Sequence, residues 1–420
     1  MPKIAIVGGG ASGVALAAAL LKTNDDARIT IFEPGALGLG VAYSTKFAGH
    51  LLNVPAARMS AFEDEPSHFA DWLQQKYPSR FQPSSFVPRV LYGEYLGEIA
   101  AEVSMVYRDR FTHVQATVSD VSLEGRGVRV FFENESDVFD RIVLATGHAA
   151  PAKQPFALSA NRYFASAWDA AALVPHDPDE TVCILGTGLT AIDAVLGLRE
   201  NGHRGKCYLV SKHGLLPHEH RAYVTSEDDW RKAVDAVRPT SNSTWQSLTL
   251  AQQRRFLRHA SAYWNVHRHR MAPQIAKIIA ELVGKRTVEI LAARVLSVAE
   301  DTNGLRISVR ARASNESITL DAARFINCTG PEQNVRKNAN PLIRSLIDSG
   351  LLTPHPLGIG TQVAADGALI DARGVVSERI FTIGPPRIGT LIETTAMPEV
   401  RAQAKQLAQR FCPVATPLSA

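Results

Sequence analysis

Short apolar runs closed by glycine recur along the chain, and each reads as a buried strand with a turn behind it. They are Ile4–Val7, Arg28–Phe32, Arg141–Leu144, Val182–Leu185, Lys206–Val210, the run at Phe325-Ile326-Asn327-Cys328, and Arg379–Ile383. Two of them lead at once into a glycine-rich turn and then a helix of small apolar residues. Ile4–Val7 is followed by Gly8-Gly9-Gly10-Ala11-Ser12-Gly13, and Val182–Leu185 by Gly186-Thr187-Gly188-Leu189-Thr190-Ala191. A third pattern, apolar at Val400, Ala404, Leu407 and Phe411, has helical spacing and predicts a helix from Glu399 to Phe411 with one buried face. The reading is an α/β protein with two dinucleotide-binding, Rossmann-like units.

The two glycine-rich turns carry the chemistry. In such a turn the first glycine permits a tight strand-to-helix bend, the second lets backbone approach a pyrophosphate, and the third small residue lets helix pack on strand. Free N–H groups and the dipole of the helix N-terminus then hold the anion. The residue that closes the next strand distinguishes the two sites. Glu33 ends the strand after the first turn, somewhat beyond the roughly 20 residues usual for a ribose-binding acid. The same spacing from Gly186 lands on Ser211, with Lys212 and His213 behind it. A carboxylate accepts from ribose hydroxyls, whereas Ser-Lys-His donates to a 2′-phosphate that a carboxylate would repel. FAD is therefore expected at the first site and NADPH at the second. Gly8, Gly10, Ala11, Ser12, Gly13 and Glu33 face the flavin nucleotide, and Gly186, Gly188, Leu189, Thr190, Ser211 and Lys212 face the nicotinamide coenzyme.

Bulk properties narrow the class. At 420 residues the chain exceeds what a single core usually supports, so two domains are the natural division. A net charge of +4 is too small and too dispersed to argue for nucleic acid, though it favours anionic ligands. The apolar start is too short to span a bilayer and reads as the first strand rather than a signal peptide. Cys183, Cys207, Cys328 and Cys412 form no close pair, which argues against a metal site and a disulfide framework and fits a reducing cytoplasm. It also excludes the flavin disulfide reductases, which need a neighbouring dithiol. His218 and His220 form an HxH without an identifiable third ligand and read as loop.

The strand ending in Ala145-Thr146-Gly147 and the related Phe325–Pro331 element flank the second glycine-rich unit. Such strands run beneath the cofactor and mark where the chain crosses between flavin and nicotinamide domains. Pro151 to Pro155 would begin the crossing, and the segment near Arg324 would lead back. The expected division is a flavin domain at 1–165 and 323–420 enclosing an inserted NAD(P)H domain at 166–322, with a helical insertion over 225–285.

Further motifs are Gly38-Leu39-Gly40-Val41-Ala42-Tyr43, Leu51-Leu52-Asn53-Val54-Pro55, Arg58-Met59-Ser60, Pro88-Arg89 with Tyr92-Gly93, Trp264–Pro273 and Pro398-Glu399-Val400-Arg401. Together they resemble the FAD/NAD(P)-binding family that includes a bacterial FAD-dependent urate hydroxylase and L-aspartate N-monooxygenases forming nitrosuccinate. The similarity extends over nearly the whole chain. It implies a single-component, NAD(P)H-dependent flavin monooxygenase, or at least a flavin oxidoreductase, with Tyr43, Asn53, Val54, Met59, Ala145, Thr146 and Gly147 on the flavin side. Two departures stand out. The last flavin strand of many two-dinucleotide flavoproteins ends in Gly-Asp, whose acid holds the ribityl chain; here Gly384 precedes Pro385-Pro386, as that family tends to have it. The FxGxxxHxxxW fingerprint of Baeyer–Villiger enzymes is absent around Gly147, which ranks ketone oxygenation below hydroxylation of nitrogen or an electron-rich ring.

The two cofactors together define the expected chemistry: hydride from NADPH to flavin, then O₂ to give a C4a-hydroperoxyflavin that oxygenates a small polar, anionic, nitrogen-containing molecule. That intermediate needs a dry wall, which Leu51–Ala57 suits. No catalytic residue is assigned by a motif; Asn53 is the candidate, either as a donor to the flavin or as turn chemistry before Pro55. Arg268 or Arg270, from His267-Arg268-His269-Arg270, could hold an anionic substrate with a bidentate fork, contact the NADPH phosphates, or be solvated or salt-bridged on a helix face. Arg89 and Tyr92 could touch flavin edge or substrate, or begin a helix after Pro88. The rival functions are a flavin reductase passing electrons to a partner and a nucleotide-binding redox sensor. The partners expected are a small-molecule substrate and O₂, with neither nucleic acid nor membrane, and oligomeric state left open.

Overall fold

A computed structural model describes residues 1–156, 158–221 and 230–411; Cys412 and the start of the expected 225–285 insertion lie outside them. The strands, in chain order, are β1 (Lys3–Val7), β2 (Arg28–Phe32), β3 (Phe111–Val114), β4 (Val118–Glu124), β5 (Gly127–Phe132), β6 (Glu135–Phe139), β7 (Arg141–Leu144), β8 (Tyr163–Phe164), β9 (Val182–Leu185), β10 (Cys207–Ser211), β11 (Val288–Glu300), β12 (Leu305–Ala311), β13 (Ser317–Ala322), β14 (Arg324–Asn327), β15 (Ala368–Ile370) and β16 (Val376–Thr382). They form a six-stranded sheet in the order β15-β16-β7-β1-β2-β3, a seven-stranded sheet in the order β13-β12-β11-β10-β9-β14-β8, and a three-stranded β4-β5-β6 meander.

Both large sheets are built on one plan. The first strand of each unit sits in the middle: β1 pairs in parallel with β2 and β7, and β9 in parallel with β10 and β14. A third parallel strand adds outside the second, β3 beside β2 and β11 beside β10. Strands flanked on both faces are continuously apolar because each face must be covered. Ile4, Ala5 and Ile6 are fully buried, as are Val182, Cys183 and Ile184. On one face of the first sheet pack the helices α1 (Ala11–Thr23) and, at the C-terminus, Met397–Phe411, whose Val400, Ala404, Leu407 and Phe411 are all buried in the same cluster. That helix lies along α1, and its Phe411 ring meets Phe381 of the sheet at 4.7 Å.

β8 and β14 are both members of the second sheet, on its far side from β10. The reason is register: Phe325 and Ile326 pair with Cys183 and Ile184 on one side and with Tyr163 and Phe164 on the other, in full burial. Arg324 enters with them, wholly buried, where it pairs with Glu180 and donates to the Val174 carbonyl at 2.8 Å. The two crossing segments meet each other, Pro151 bridging to Pro331 and the Glu332 amide donating to the Ala150 carbonyl at 3.1 Å. Between β10 and β11 the chain forms the helices Trp230–Ala236, Ser241–Ser247, Leu250–His259, Ser261–Arg268 and Pro273–Gly284. Among the described residues no helix is long and apolar enough to cross a membrane.

Candidate functional site

At the first turn Gly8 adopts φ +104°, and a Cβ there would stand 2.4 Å from the carbonyl oxygen of Ala145. The Gly8 amide donates to the Phe32 carbonyl at 2.9 Å, and the Ala145 amide to the Val7 carbonyl at 2.8 Å, so β1, β2 and β7 are pinched together at this point. Gly13 is the close-packing position, since its Cβ would fall 2.0 Å from the Gly8 carbonyl oxygen. Gly10 caps α1 with no side-chain hydrogen bond, which leaves the amides of Ala11 and Ser12 at the helix mouth. Glu33 closes the ring: its carboxylate accepts from the Gly9 amide at 2.9 Å and the Gly35 amide at 3.1 Å. Thr146 and Gly147, the latter at φ +64°, continue past Ala145 as an irregular turn.

The second turn repeats this geometry. Gly186 has φ +133°, its Cβ would stand 2.4 Å from the Cys328 carbonyl oxygen, and its amide donates to the Val210 carbonyl at 2.8 Å. Ala191, fully buried, takes the place of Gly13. Where Glu33 stands in the first unit, Ser211 stands here, bonded through its hydroxyl to Thr187 at 2.9 Å and to the Gly214 amide at 3.0 Å. Lys212 is exposed beyond it.

Gly188 tests whether these residues fit a bound pyrophosphate. Its φ of −79° is open to any residue, and a Cβ there would meet nothing within 4 Å. Neither backbone strain nor protein packing requires glycine, and the position leaves open space at the uncapped start of the Leu189–Glu200 helix, as a pyrophosphate pressed against it would need. Leu189 and Thr190 open that helix. The fit therefore holds for the second cradle, and the matching pinch and uncapped helix extend it to the first.

The Leu51–Met59 wall lies at the seam of the two units and is held from both sides. Leu52, Ala56 and Ala57 donate their amides to the carbonyls of Val87, Ser85 and Pro83. From the inserted unit, His220 Nε2 contacts the Asn53 carbonyl at 3.0 Å. The Asn53 side-chain amide makes no hydrogen bond among the described residues. Val54 packs on the first unit's core and Met59 lies within it. Tyr43 stands edge-on to Tyr92 at 4.7 Å, and burial pushes its hydroxyl pKa up to about 12. The Tyr92 hydroxyl is buried without a partner among the described residues.

Several arginines of the sequence reading are held in ion pairs. Arg89 opens the Arg89–Val106 helix directly after Pro88. It is ion-paired at 2.7 Å with Asp193 of the inserted unit, and its Nε donates to the Leu51 carbonyl. His50, buried beside it, contacts the Asp193 carbonyl at 2.8 Å. Arg268 and Arg270, expected at an anionic substrate, at the NADPH phosphates or on a solvated or salt-bridged helix face, are likewise held by carboxylates. Arg268 pairs with Glu393 at 2.7 Å and reaches Glu399 at 3.5 Å, while Arg270 pairs with Asp235 at 2.8 Å. An unclaimed arginine is Arg58, at the end of the Leu51 wall. It has solvent contact, and its side chain makes no ion pair or hydrogen bond among the described residues. Partial desolvation and then the nearby Arg268 hold its pKa below the usual arginine value, with Glu399 opposing. His269 lies in the same pocket of charge, its pKa pushed down to about 4 by burial and by Arg268.

At the end of β16, where the usual acid is missing, the structure supplies a closed polar ring that the sequence did not reveal. Gly384, at φ +76°, donates its amide to Gln403 Oε1 at 2.9 Å and accepts from the Thr394 hydroxyl at 2.9 Å, and Gln403 donates back to Thr394 at 3.0 Å. A Cβ on Gly384 would meet Ser12 Oγ at 2.9 Å, so this ring abuts the first cradle. The available signal was a glutamine within the apolar face of the last helix.

Among the described residues Cys183, Cys207 and Cys328 are buried and form no disulfide. Burial pushes Cys183 up to about 12 and Cys207 up to about 11, and raises Cys328 as well.

Comparison with known proteins agrees with this architecture. Residues 5–149 match a family model described as FAD-NAD(P)-binding. A curated relative, the uncharacterized protein YdhS of Escherichia coli K12, is 28% identical over 217 residues, 47% of this chain; the match spans only 39% of that relative's length. Among solved structures, the reduced form of an ornithine hydroxylase from Pseudomonas aeruginosa superimposes with a TM-score of 0.73 at 16% identity, covering 98% of this chain and 99% of that one. An ornithine N-hydroxylase from Kutzneria sp. 744, solved with reduced FAD, NADP⁺ and L-ornithine, gives 0.74 at 14% identity, covering 98% of each chain. These likenesses show a shared fold of two dinucleotide-binding-type units.

Proposed function

We propose that the chain is an NADPH-dependent flavin monooxygenase, with FAD on the first cradle and NADPH on the second, acting on a small anionic molecule at nitrogen. The observation that carries this reading is the contrast between Glu33 and Ser211 at matching places in two otherwise similar turns. A carboxylate suits ribose hydroxyls and repels a 2′-phosphate; a hydroxyl followed by Lys212 does the reverse. The names of the two ornithine hydroxylases support a nitrogen substrate. Bound FAD supplies hydride acceptance and O₂ activation, which no side chain can.

The chain's own residues bind, dry and orient. Leu52 and Ala56, both buried, form the apolar part of the wall and exclude water. Asn53 has its carbonyl tied to His220, so its backbone is fixed while its side-chain amide is available to donate. Arg58 holds the substrate's anionic group, because Arg268, Arg238 and Arg270 are already matched to Glu393, Glu399 and Asp235. One surplus cation in a crowded charged cleft favours one anion.

The test is a panel of amino acids and purines offered to the FAD-loaded chain with NADPH. A substrate should accelerate NADPH oxidation and yield an oxygenated product with little peroxide. Arg58→Ala should raise KM for it about tenfold or more with coenzyme binding unchanged. A chain that stays colourless after reconstitution, or that passes electrons only to an artificial acceptor, overturns the reading.

A further inference from the structure

We propose that Arg312, on the turn between β12 and β13, is the specificity-determining residue for the coenzyme, closing with Lys212 a two-cation clamp on the 2′-phosphate. This rests on the second cradle holding NADPH and goes beyond the Ser-Lys-His run, which lies about a hundred residues upstream. The geometry that brings Arg312 there is sheet register. Ala292 of β11 pairs with Ser211 of β10, and the Arg312 amide donates to the Ala292 carbonyl at 2.8 Å. Gly214, at φ +61°, packs so closely on Ala292 that a Cβ would stand 3.0 Å from its side chain. The loop after β10 and the turn after β12 are thereby fastened to the same residue.

The side chains meet as the backbones do. Arg312 Nη1 donates to His213 Nδ1, which leaves the imidazole neutral. Its pKa is lowered by desolvation and then by the guanidinium of Arg312 and the ammonium of Lys212. Neither Lys212 nor Arg312 has an ion-pair partner among the described residues, and both are exposed. Two unpaired cations around a neutral imidazole, beside a ribose-binding position that has lost its carboxylate, is an arrangement a dianion relieves. Arginine fits the part because its planar fork meets a phosphate with two parallel hydrogen bonds, whereas lysine offers a point charge. The Tyr263 ring, edge-on to His213 at 5.9 Å, borders the same spot from the helical insertion.

The experiment is calorimetric titration of the full chain with 2′,5′-ADP and with 5′-ADP, so that binding is read without turnover. Wild type should prefer 2′,5′-ADP. Arg312→Ala should weaken 2′,5′-ADP by about tenfold or more and leave 5′-ADP unchanged, and Arg312→Lys should recover part of the loss. Unchanged 5′-ADP binding also certifies that the variant is folded. An Arg312→Ala chain that binds 2′,5′-ADP as wild type does overturns the clamp while leaving the NADPH reading intact. A wild-type chain indifferent to the 2′-phosphate overturns both.

Discussion

The two nucleotide cradles share a backbone and differ in one residue that matters. Gly8 and Gly186 make the same bend against the same kind of carbonyl, and Glu33 and Ser211 both turn back onto the loop beyond the first glycine. Geometry is thus common property of the fold, while the proposed choice of ligand rests on whether the second strand ends in a carboxylate or a hydroxyl. The inserted unit adds what the first lacks: a meander, β11 to β13, continuous with its sheet, whose turn carries Arg312 to the coenzyme position. In the first unit the equivalent meander, β4 to β6, is a separate sheet.

The severest break of the symmetry is a methyl group on either pivot glycine. Both positions lie in the left-handed region and both would drive a Cβ to 2.4 Å from a carbonyl oxygen, a strain of roughly 2–4 kcal/mol if the backbone held. Gly8→Ala should yield a chain that no longer retains FAD. Gly186→Ala should retain FAD but lose flavin reduction by NADPH, followed as bleaching in an anaerobic stopped-flow trace. Equal loss of FAD in both variants would mean that the two cradles are not separate sites.

Comparable in stability, but milder in its effect on cofactor binding, is the break of the seam that keeps the units in register. Arg89 and Asp193 are each about nine-tenths buried, and removing one partner strands the other's charge away from water, at roughly 3–5 kcal/mol. Arg89→Ala and Asp193→Ala should each lower the melting temperature markedly. The double variant Arg89→Met with Asp193→Leu should recover much of it while slowing hydride transfer, because the Leu51 carbonyl loses the Arg89 Nε donor that ties the wall to the seam, whereas His50 keeps its contact with the backbone carbonyl of residue 193. If the single variants melt as wild type does, the contact carries no weight in joining the units.

Much of this was legible in the sequence, for definable reasons. Strands buried on both faces are continuously apolar and glycine-terminated, so β1, β2, β7, β9 and β10 stand out within a residue of their observed bounds. Both cradles come from short-range spacing. The charge network does not, because its partners are far apart in the chain: Arg89 meets Asp193, Arg268 meets Glu393, and His213 meets Arg312. A sequence shows that an arginine is present, but not whether a carboxylate has already taken it. The sheet membership of Arg324–Asn327 is hidden for the same reason, since only pairing with β8 and β9 places it in the second sheet. Gln403 left only a faint signal, a lone polar residue on an apolar helix face, and its partners Thr394 and Gly384 follow from the fold alone.

A smaller effect converts one cradle's chemistry into the other's. Ser211→Glu places a carboxylate where the first unit has one, opposite the 2′-phosphate position. The NADPH-over-NADH preference should fall by about 100-fold, equivalent to roughly 2–3 kcal/mol. The measurement is the ratio of kcat/KM for the two coenzymes, and an unchanged ratio would detach Ser211 from coenzyme choice. The reciprocal Glu33→Ser should weaken FAD retention and leave that ratio alone.

The mildest expected effect is on acid stability, and it falls on the seam rather than on either cradle. His269 titrates near 4 in the folded chain because burial and then Arg268 oppose its protonation; Glu399 acts the other way, and His148 and Arg238 add to the lowering. His50 and His220, also at the seam, are lowered too, each first by burial. In the unfolded chain a histidine titrates near 6.5. Between those values the unfolded chain binds more protons, so stability is fully present above about pH 6.5 and declines as pH falls toward 4. Below the folded pKa both states are protonated and the loss from that residue stops growing. Melting temperatures recorded from about pH 7 down to about pH 4.5 should therefore slope downward, and His269→Gln should flatten the slope, since glutamine brings no proton to the unfolded chain. Equal slopes in the two proteins would move the acid sensitivity away from the joint between the units and onto the body of one of them.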